Sequence, residues 1–490
     1  MNNQNQLSHY NKHSCKLSDI LLINNYKLDV FDEYNLYFNA NNIIGDDYWC
    51  NRTRYRDCFN YIATNINNQQ VSIIHPITKQ IMESDFYFFV TSEPNVIGND
   101  LFCCYYFKGS NIILTSITGG IGLMNSNEYA LIHFESKTIY YTYVLNVSEY
   151  VLNKIILKKK EIDNLNDYEH FLRTIPKETI TFYGHHNNIG HQIFNEYSGI
   201  YIIQKTKIFN NTDKIILGPN NALHFNEYFS KNYPDLNIVE TNNINSFDNI
   251  CGRGIVYKYN HHFVSEDMKL YLYNNIINNN LISMSEESKL IIQNLNKNAI
   301  KLLIILRCGS RNMVNQANTI CDFIKMFKND YPESTIILSG FTNNNHKYDE
   351  LNVGYFNQSY NDIKNQYIDT ANSIIQKSEI SDIYNINDFN FKETFIISKI
   401  CNFCIYQHGS ASCIPGWLCN VPGIAIGFHD VNRYISIDKY INQNNNLYYL
   451  TETNIIKHNI ICDHIYTFKI NTYLFYKYFI SKFLLHKITQ

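Results

Sequence analysis

Leu302-Leu303-Ile304-Ile305-Leu306-Arg307-Cys308-Gly309-Ser310-Arg311 is the stretch on which the reading of the fold turns. Five branched apolar residues in a row read as a strand buried on both faces, as strands of parallel sheets are. The run stops at two arginines four residues apart with Gly309 between them. Helical spacing then begins near Asn315 and continues to Phe327. A buried strand, a polar loop and a helix in that order open a βαβ unit.

The same alternation extends outward from this stretch. Downstream, Thr335–Leu338, Phe403–Tyr406 and Gly423–Gly427 read as strands, and Tyr360–Gln376 and Phe391–Ile400 as helices. Upstream, Thr179–Tyr183, Lys214–Gly218 and Leu236–Glu240 read as strands. Helical stretches from Gln192 to Ile203, through Phe229, from Ser265 to Leu281 and from Ser285 to Leu295 separate or follow them. Before residue 155 the chain is rich in Tyr, Phe and Ile, with turn signals between strand-like runs such as Phe86–Val90 and Leu101–Phe107. The last aromatic segment, Ile465 to Leu485, reads as a long amphipathic helix. The expectation is an α/β protein of two Rossmann-like lobes behind a β-rich N-terminal region. Its expected parts are a disordered lead (1–20), the β-rich region (21–158), a first lobe (159–297), a second lobe (298–460) and a C-terminal helix (461–490).

The chain has 490 residues, 45 % of them hydrophobic and 15 % aromatic, enough for packed cores rather than disorder. Abundant Asn, Ile, Tyr and Lys beside only 8 Pro and 2 Trp read as a bias of the genome's base composition. A formal net charge of −3 argues against the broad basic field of a nucleic-acid binder. Lys158-Lys159-Lys160 is short and reads as a linker or a helix end. The 13 cysteines are scattered; Cys401-x-x-Cys404 lacks a second pair, so reduced buried thiols are expected in place of zinc or a redox centre. The polar start carries no apolar signal stretch, and no run approaches the length of a membrane helix. A soluble cytoplasmic protein is expected.

Ligands of open parallel sheets bind beyond the carboxyl ends of the strands, and three polar loops occupy such ends. In Arg307-Cys308-Gly309-Ser310-Arg311 the paired donors of two guanidinium groups suit a diphosphate, Gly309 lets the backbone approach, and the following helix start adds partial positive charge. In Gln407-His408-Gly409-Ser410-Ala411-Ser412 small residues expose backbone N–H groups at a helix start, and His408 can meet a phosphate; a plain helix cap would use the same serines. Gly184-His185-His186-Asn187-Asn188-Ile189-Gly190-His191 holds three histidines in seven residues. Without a nearby carboxylate or thiolate set, a general base fits better than a metal site. His191, beginning a helix, is the first candidate for that base, its charged form disfavoured by the positive helix end. The bland reading of the loop is a structural histidine.

Asn187-Asn188-Ile189-Gly190-His191 resembles the Asn-x-Gly-His motif of family 61 glycosyltransferases. Arg307-x-x-x-Arg311-x-x-x-Asn315 resembles their Arg…Arg…Asn motif. His408-Gly409-Ser410, with Pro415-Gly416 and Pro422-Gly423 after it, resembles their His-Gly-Ala turn and its sequel. The resemblance covers roughly residues 175 to 430. It implies a GT-B fold, a nucleotide-sugar donor, inversion at the anomeric carbon, and no bound metal or other cofactor. It places Arg307, Arg311, Asn315, His408 and Gly409 at the donor in the second lobe and His191 near the acceptor in the first; the loop readings add Gly309 and Ser410 on the donor side and His186 and Asn188 on the acceptor side. Family members commonly carry an acidic residue where this chain has Asn195; Glu196 beside it is the second candidate base. The acidic residue that often follows the Pro-Gly segment is missing from Gly423-Ile424-Ala425-Ile426-Gly427.

The expected function is transfer of a sugar from a nucleotide sugar to a hydroxyl of a glycan or protein acceptor, with no nucleic-acid partner and no membrane span. Two alternatives remain at this stage: a nucleotide-sugar epimerase or pyruvyl transferase on the same fold, and a non-catalytic glycan-binding or structural protein. Donor, acceptor and oligomeric state are not legible.

Overall fold

The computed structural model describes residues 11–14, 69–91, 101–117, 129–141, 149–184, 189–205, 208–218, 223–241, 250–257, 264–278, 282–295, 300–309, 312–343, 360–407, 413–427, 447–462 and 465–489. The chain forms two compact units. One comprises residues 1–186, 195–219 and 225–262, the other residues 187–194, 220–224 and 263–490.

In the second unit the apolar runs become a six-stranded sheet in the order Ile383–Asn385, Thr335–Ser339, Lys301–Ile305, Phe403–Gln407, Gly423–Ile426, Leu447–Tyr449. Every pair is parallel. Numbered along the chain, that order is 3-2-1-4-5-6, the doubly wound Rossmann arrangement. The strand of the opening stretch is the central one, which explains its unbroken apolar sequence. Leu302, Ile304 and Leu306 face Ile320, Phe323, Phe327, Phe479 and Phe483 on one side of the sheet. Leu303 and Ile305 face Ile291, Leu295 and Ile397 on the other. Both faces are covered, so there is no polar face to alternate with.

The first unit holds a ten-stranded sheet whose last four members are Cys251–Tyr257, Lys177–Tyr183, Lys214–Leu217 and Asn237–Glu240. These four are mutually parallel and, in chain order, repeat the 3-2-1-4 half of the Rossmann arrangement. The α/β fold class with two Rossmann-like units, expected from the alternation of strands and helices, is what the chain adopts.

The β-rich stretch from Phe86 to Tyr141 is an antiparallel meander in that same sheet. The joint is Cys251–Tyr257. Its first two residues pair antiparallel with Phe88 and Tyr87, and the rest run parallel to Lys177–Thr181. Gly252 is required there, because a Cβ would collide with the Tyr87 ring. The Tyr105 hydroxyl donates to the Val256 carbonyl at 2.7 Å and accepts from its N–H at 2.9 Å, tying the meander to the joint. Asn11–Ser14, inside the polar lead, pairs with Thr138–Tyr141 at the sheet edge.

Glu149–Asp163 is a helix that sequence periodicity did not single out. Val151, Leu152 and Ile155 pack on Phe86, Phe88 and Phe102 of the meander. It carries Lys158-Lys159-Lys160 as a helix end, where Lys158 pairs with Glu161 and Lys159 with Asp163. The expected helix over Ile465–Leu485 is corrected: Ile465–Ile470 is a strand between Asn312–Met313 and Ile456–Cys462, and the helix is Thr472–Thr489. Asn471 starts it by accepting the Leu474 N–H at 3.1 Å, a local side-chain bond that ends the strand. Among the described residues no helix is long and apolar enough to cross a membrane.

Candidate functional site

A doubly wound sheet opens a crevice where the strand order reverses, between the first and fourth strands along the chain. In the second unit these are Lys301–Ile305 and Phe403–Gln407. Two of the three candidate loops leave these two strands. Leu306 still donates to Ser339 at 2.6 Å, so the chain stays in the sheet until Arg307. Arg307 is half-buried and Gly309 exposed. Gly309 has φ of +83°, where a side chain would be strained. Asn315 also sits in the left-handed region, exposed, immediately before the helix Gln316–Asp330, and its side chain does not cap that helix. Asn315 is therefore at the loop's exit and Arg307 at its start. Ser310, Arg311, His408, Gly409 and Ser410 lie outside the described residues.

The neck of this loop is closed by a residue the sequence reading passed over. The buried Gln316 accepts the Arg307 N–H through Oε1 and donates through Nε2 to the Arg307 carbonyl, both at 3.0 Å. Gln407, the last residue of the neighbouring strand, donates its own Nε2 to the same Gln316 Oε1. A single signal was available in the sequence, a carboxamide ending an otherwise apolar strand.

In the first unit Gly184 ends the Lys177–Tyr183 strand with φ of +72°. Its N–H donates to Glu196 Oε2 at 3.0 Å, and Glu196 is fully buried. His185, His186 and Asn188 lie outside the described residues. His191 is half-buried in the opening turn of the helical run Ile189–Lys205, ahead of a π-helical turn, Gln192–Tyr197. Residues 187–194 belong to the second unit. There the His191 ring lies 5.0 Å from that of Phe194, and Phe194 stands edge-on to Trp417 at 5.3 Å. Trp417 belongs to another π-helical turn, Cys413–Leu418, just after His408-Gly409-Ser410. Such widened turns recur at functional sites because they re-aim neighbouring backbone. Asn195, where the resemblance leads one to expect an acid, is buried.

Among the described residues no group of three or more His, Cys, Asp or Glu is placed to hold a metal ion. The nine cysteines whose side chains are described are all free thiols. Burial pushes the Cys401 thiol up to about 12 and raises that of Cys404 well above the ordinary thiol value.

No family model matches the chain, and no curated protein matches its sequence. Solved structures do resemble it. Escherichia coli ADP-heptose LPS heptosyltransferase II matches with a TM-score of 0.29 and 9 % identity, over 63 % of this chain and 99 % of that one. The family 9 glycosyl transferase of Veillonella parvula has a TM-score of 0.31 and 8 % identity, over 57 % and 87 %. The UDP-GlcNAc 2-epimerase of Methanocaldococcus jannaschii has a TM-score of 0.22 and 12 % identity, over 53 % and 72 %. At these scores the likenesses carry no argument about chemistry. The motif resemblance to family 61 glycosyltransferases receives no support from them.

Proposed function

We propose that the chain is a glycosyltransferase of GT-B type, moving a sugar from a nucleotide sugar to a hydroxyl of a glycan or protein acceptor with inversion and without a metal. The observation that carries this reading is positional. The arginine loop and the strand leading into His408 flank the one crevice that a 3-2-1-4-5-6 sheet opens. Arg307 and Arg311 bind the diphosphate. Gly309 and the start of Gln316–Asp330 add backbone N–H groups and positive potential. Asn315, His408, Gly409 and Ser410 complete the donor side, and His186 and Asn188 face the acceptor.

His191 takes the proton from the acceptor hydroxyl as the oxygen attacks the anomeric carbon. The bond from that carbon to the diphosphate oxygen breaks, and the two arginines stabilise the charge that develops on the leaving group. Glu196 is the second candidate base. Its hydrogen bond to Gly184 gives it a further task, holding the end of the strand from which the histidine loop departs.

Calorimetry with UDP and ADP tests the donor assignment. Arg307→Ala and Arg311→Ala are each expected to weaken binding by about 1–3 kcal/mol, the range of charge-assisted hydrogen bonds. Unchanged affinity in both variants overturns the assignment. Turnover of the nucleotide sugar in the absence of any acceptor would move the reaction to epimerisation on the same fold.

A further inference from the structure

The base of the switch-point crevice is built from two carboxamides, and their orientations follow from their partners. Gln316 clasps both polar atoms of the Arg307 main chain, so its Oε1 must face the N–H and its Nε2 the carbonyl. Gln407 meets that same Oε1, an acceptor, and can do so only with its own amide nitrogen. One chain of amides thus joins the end of the Lys301–Ile305 strand, the first residue of the Gln316–Asp330 helix and the last residue of the Phe403–Gln407 strand. Gln316 is 8 % and Gln407 1 % exposed. The Gln407 Oε1 is buried without a hydrogen-bond partner. A buried, half-satisfied amide is costly, and apolar packing would serve stability at least as well at a strand end. Its position at the end of a strand flanking the crevice points to a task in the site.

We propose that Gln316 and Gln407 are positioning residues for nucleoside-diphosphate binding; this rests on the donor-site reading above. Gln316 fixes the two peptide groups that flank the Arg307 Cα, which sets the direction in which the guanidinium leaves the sheet. Gln407 locks Gln316 by taking up its second acceptor lone pair, and it is also the residue from which the chain enters His408-Gly409-Ser410. The pair therefore ties the end of the Lys301–Ile305 strand at Arg307 to the end of the Phe403–Gln407 strand, the two strands that flank the crevice.

The test uses the full chain, with UDP and ADP as probes in calorimetry and unfolding temperature recorded in parallel. Gln316→Met and Gln407→Met keep side-chain length and remove the amides. Each is expected to weaken binding about tenfold, the scale of one to two lost hydrogen bonds, in protein that remains folded at the assay temperature. Gln407→Glu supplies a signature that a merely structural role would not. Only the protonated carboxyl can donate to Gln316 Oε1, and burial raises the pKa of a carboxyl. The ratio of variant to wild-type affinity should then be near one at low pH and fall as pH rises, while the variant stays folded. Wild-type binding with equal affinity in both methionine variants, or a pH-independent ratio in folded Gln407→Glu, overturns the inference alone. If wild type binds neither nucleotide, the donor-site reading fails and the inference falls with it.

Discussion

At the scale of single residues, chemistry is placed by loops and aimed by what holds them. Arg307 was legible in the sequence because a guanidinium directly after five apolar residues has to emerge at a strand end. Gln316 and Gln407 were not, because a glutamine's partners lie across the fold and leave no trace in spacing. His191 is half-buried, and its neighbour Phe194 rests on Trp417 within the second unit. His191→Ala is expected to cut single-turnover rate by about 10²–10⁴, the usual worth of general-base catalysis. Glu196→Gln keeps an acceptor for the Gly184 N–H and should leave turnover near wild type. The reverse result, a slow Glu196→Gln beside a fast His191→Ala, transfers the base role to Glu196.

Among the elements, helix starts are where side chains decide structure. Glu393 Oε2 accepts the Asn390 N–H at 2.9 Å while Asn390 accepts the Glu393 N–H at 3.0 Å, a capping box opening Phe391–Lys399. The other carboxylate oxygen accepts from Ser285 N at 2.6 Å and Ser288 Oγ at 2.9 Å, at the start of Glu286–Leu295. One buried carboxylate therefore serves two helix N-termini, whose positive ends favour it. Glu393→Ala leaves several buried donors unpaired, at about 1–3 kcal/mol for each one that water cannot reach. A fall in the chemical-denaturation midpoint with an unchanged slope would show this; an unchanged midpoint would mean that the two starts are stabilised independently of Glu393. Asn390 followed three residues later by Glu393 can be read in sequence as a helix start. Its reach to Ser285, more than a hundred residues earlier, cannot.

For the whole molecule, stability should depend on pH through histidines held neutral. Burial, with His133 nearby, lowers the pKa of His75, and its Nδ1 accepts the N–H groups of Ile77 and Thr78 at 3.1 and 3.2 Å. Burial also lowers the pKa of His486 in the C-terminal helix. In each case the unfolded chain takes up a proton more readily than the folded one. The stabilisation is therefore complete above the ordinary imidazole value of about 6.5 and is lost as pH falls below it toward the lowered folded value. The melting temperature is expected to be level from pH 8 to about 7 and to decline from about 6.5 downward. His75→Asn keeps an acceptor for the two backbone N–H groups but does not titrate, so it should flatten part of that decline. A variant profile identical to wild type would exclude His75 as a contributor.

What the sequence determined by itself was the kind of fold and the strand ends from which the candidate loops leave. Apolar runs, their lengths and their polar terminators are local properties, and a fully buried strand such as Leu302–Leu306 has few alternatives. Only the tertiary structure decided the rest. It set the 3-2-1-4-5-6 order that brings the Arg307 and His408 strands side by side. It merged the meander with the parallel strands through Cys251–Tyr257, and it made Ile465–Ile470 a strand in place of the first turns of a helix. Strand partners are chosen by backbone hydrogen bonds between segments far apart in the chain. Those bonds use the same N–H and C=O groups whatever the side chains, so no residue pattern announces them in advance.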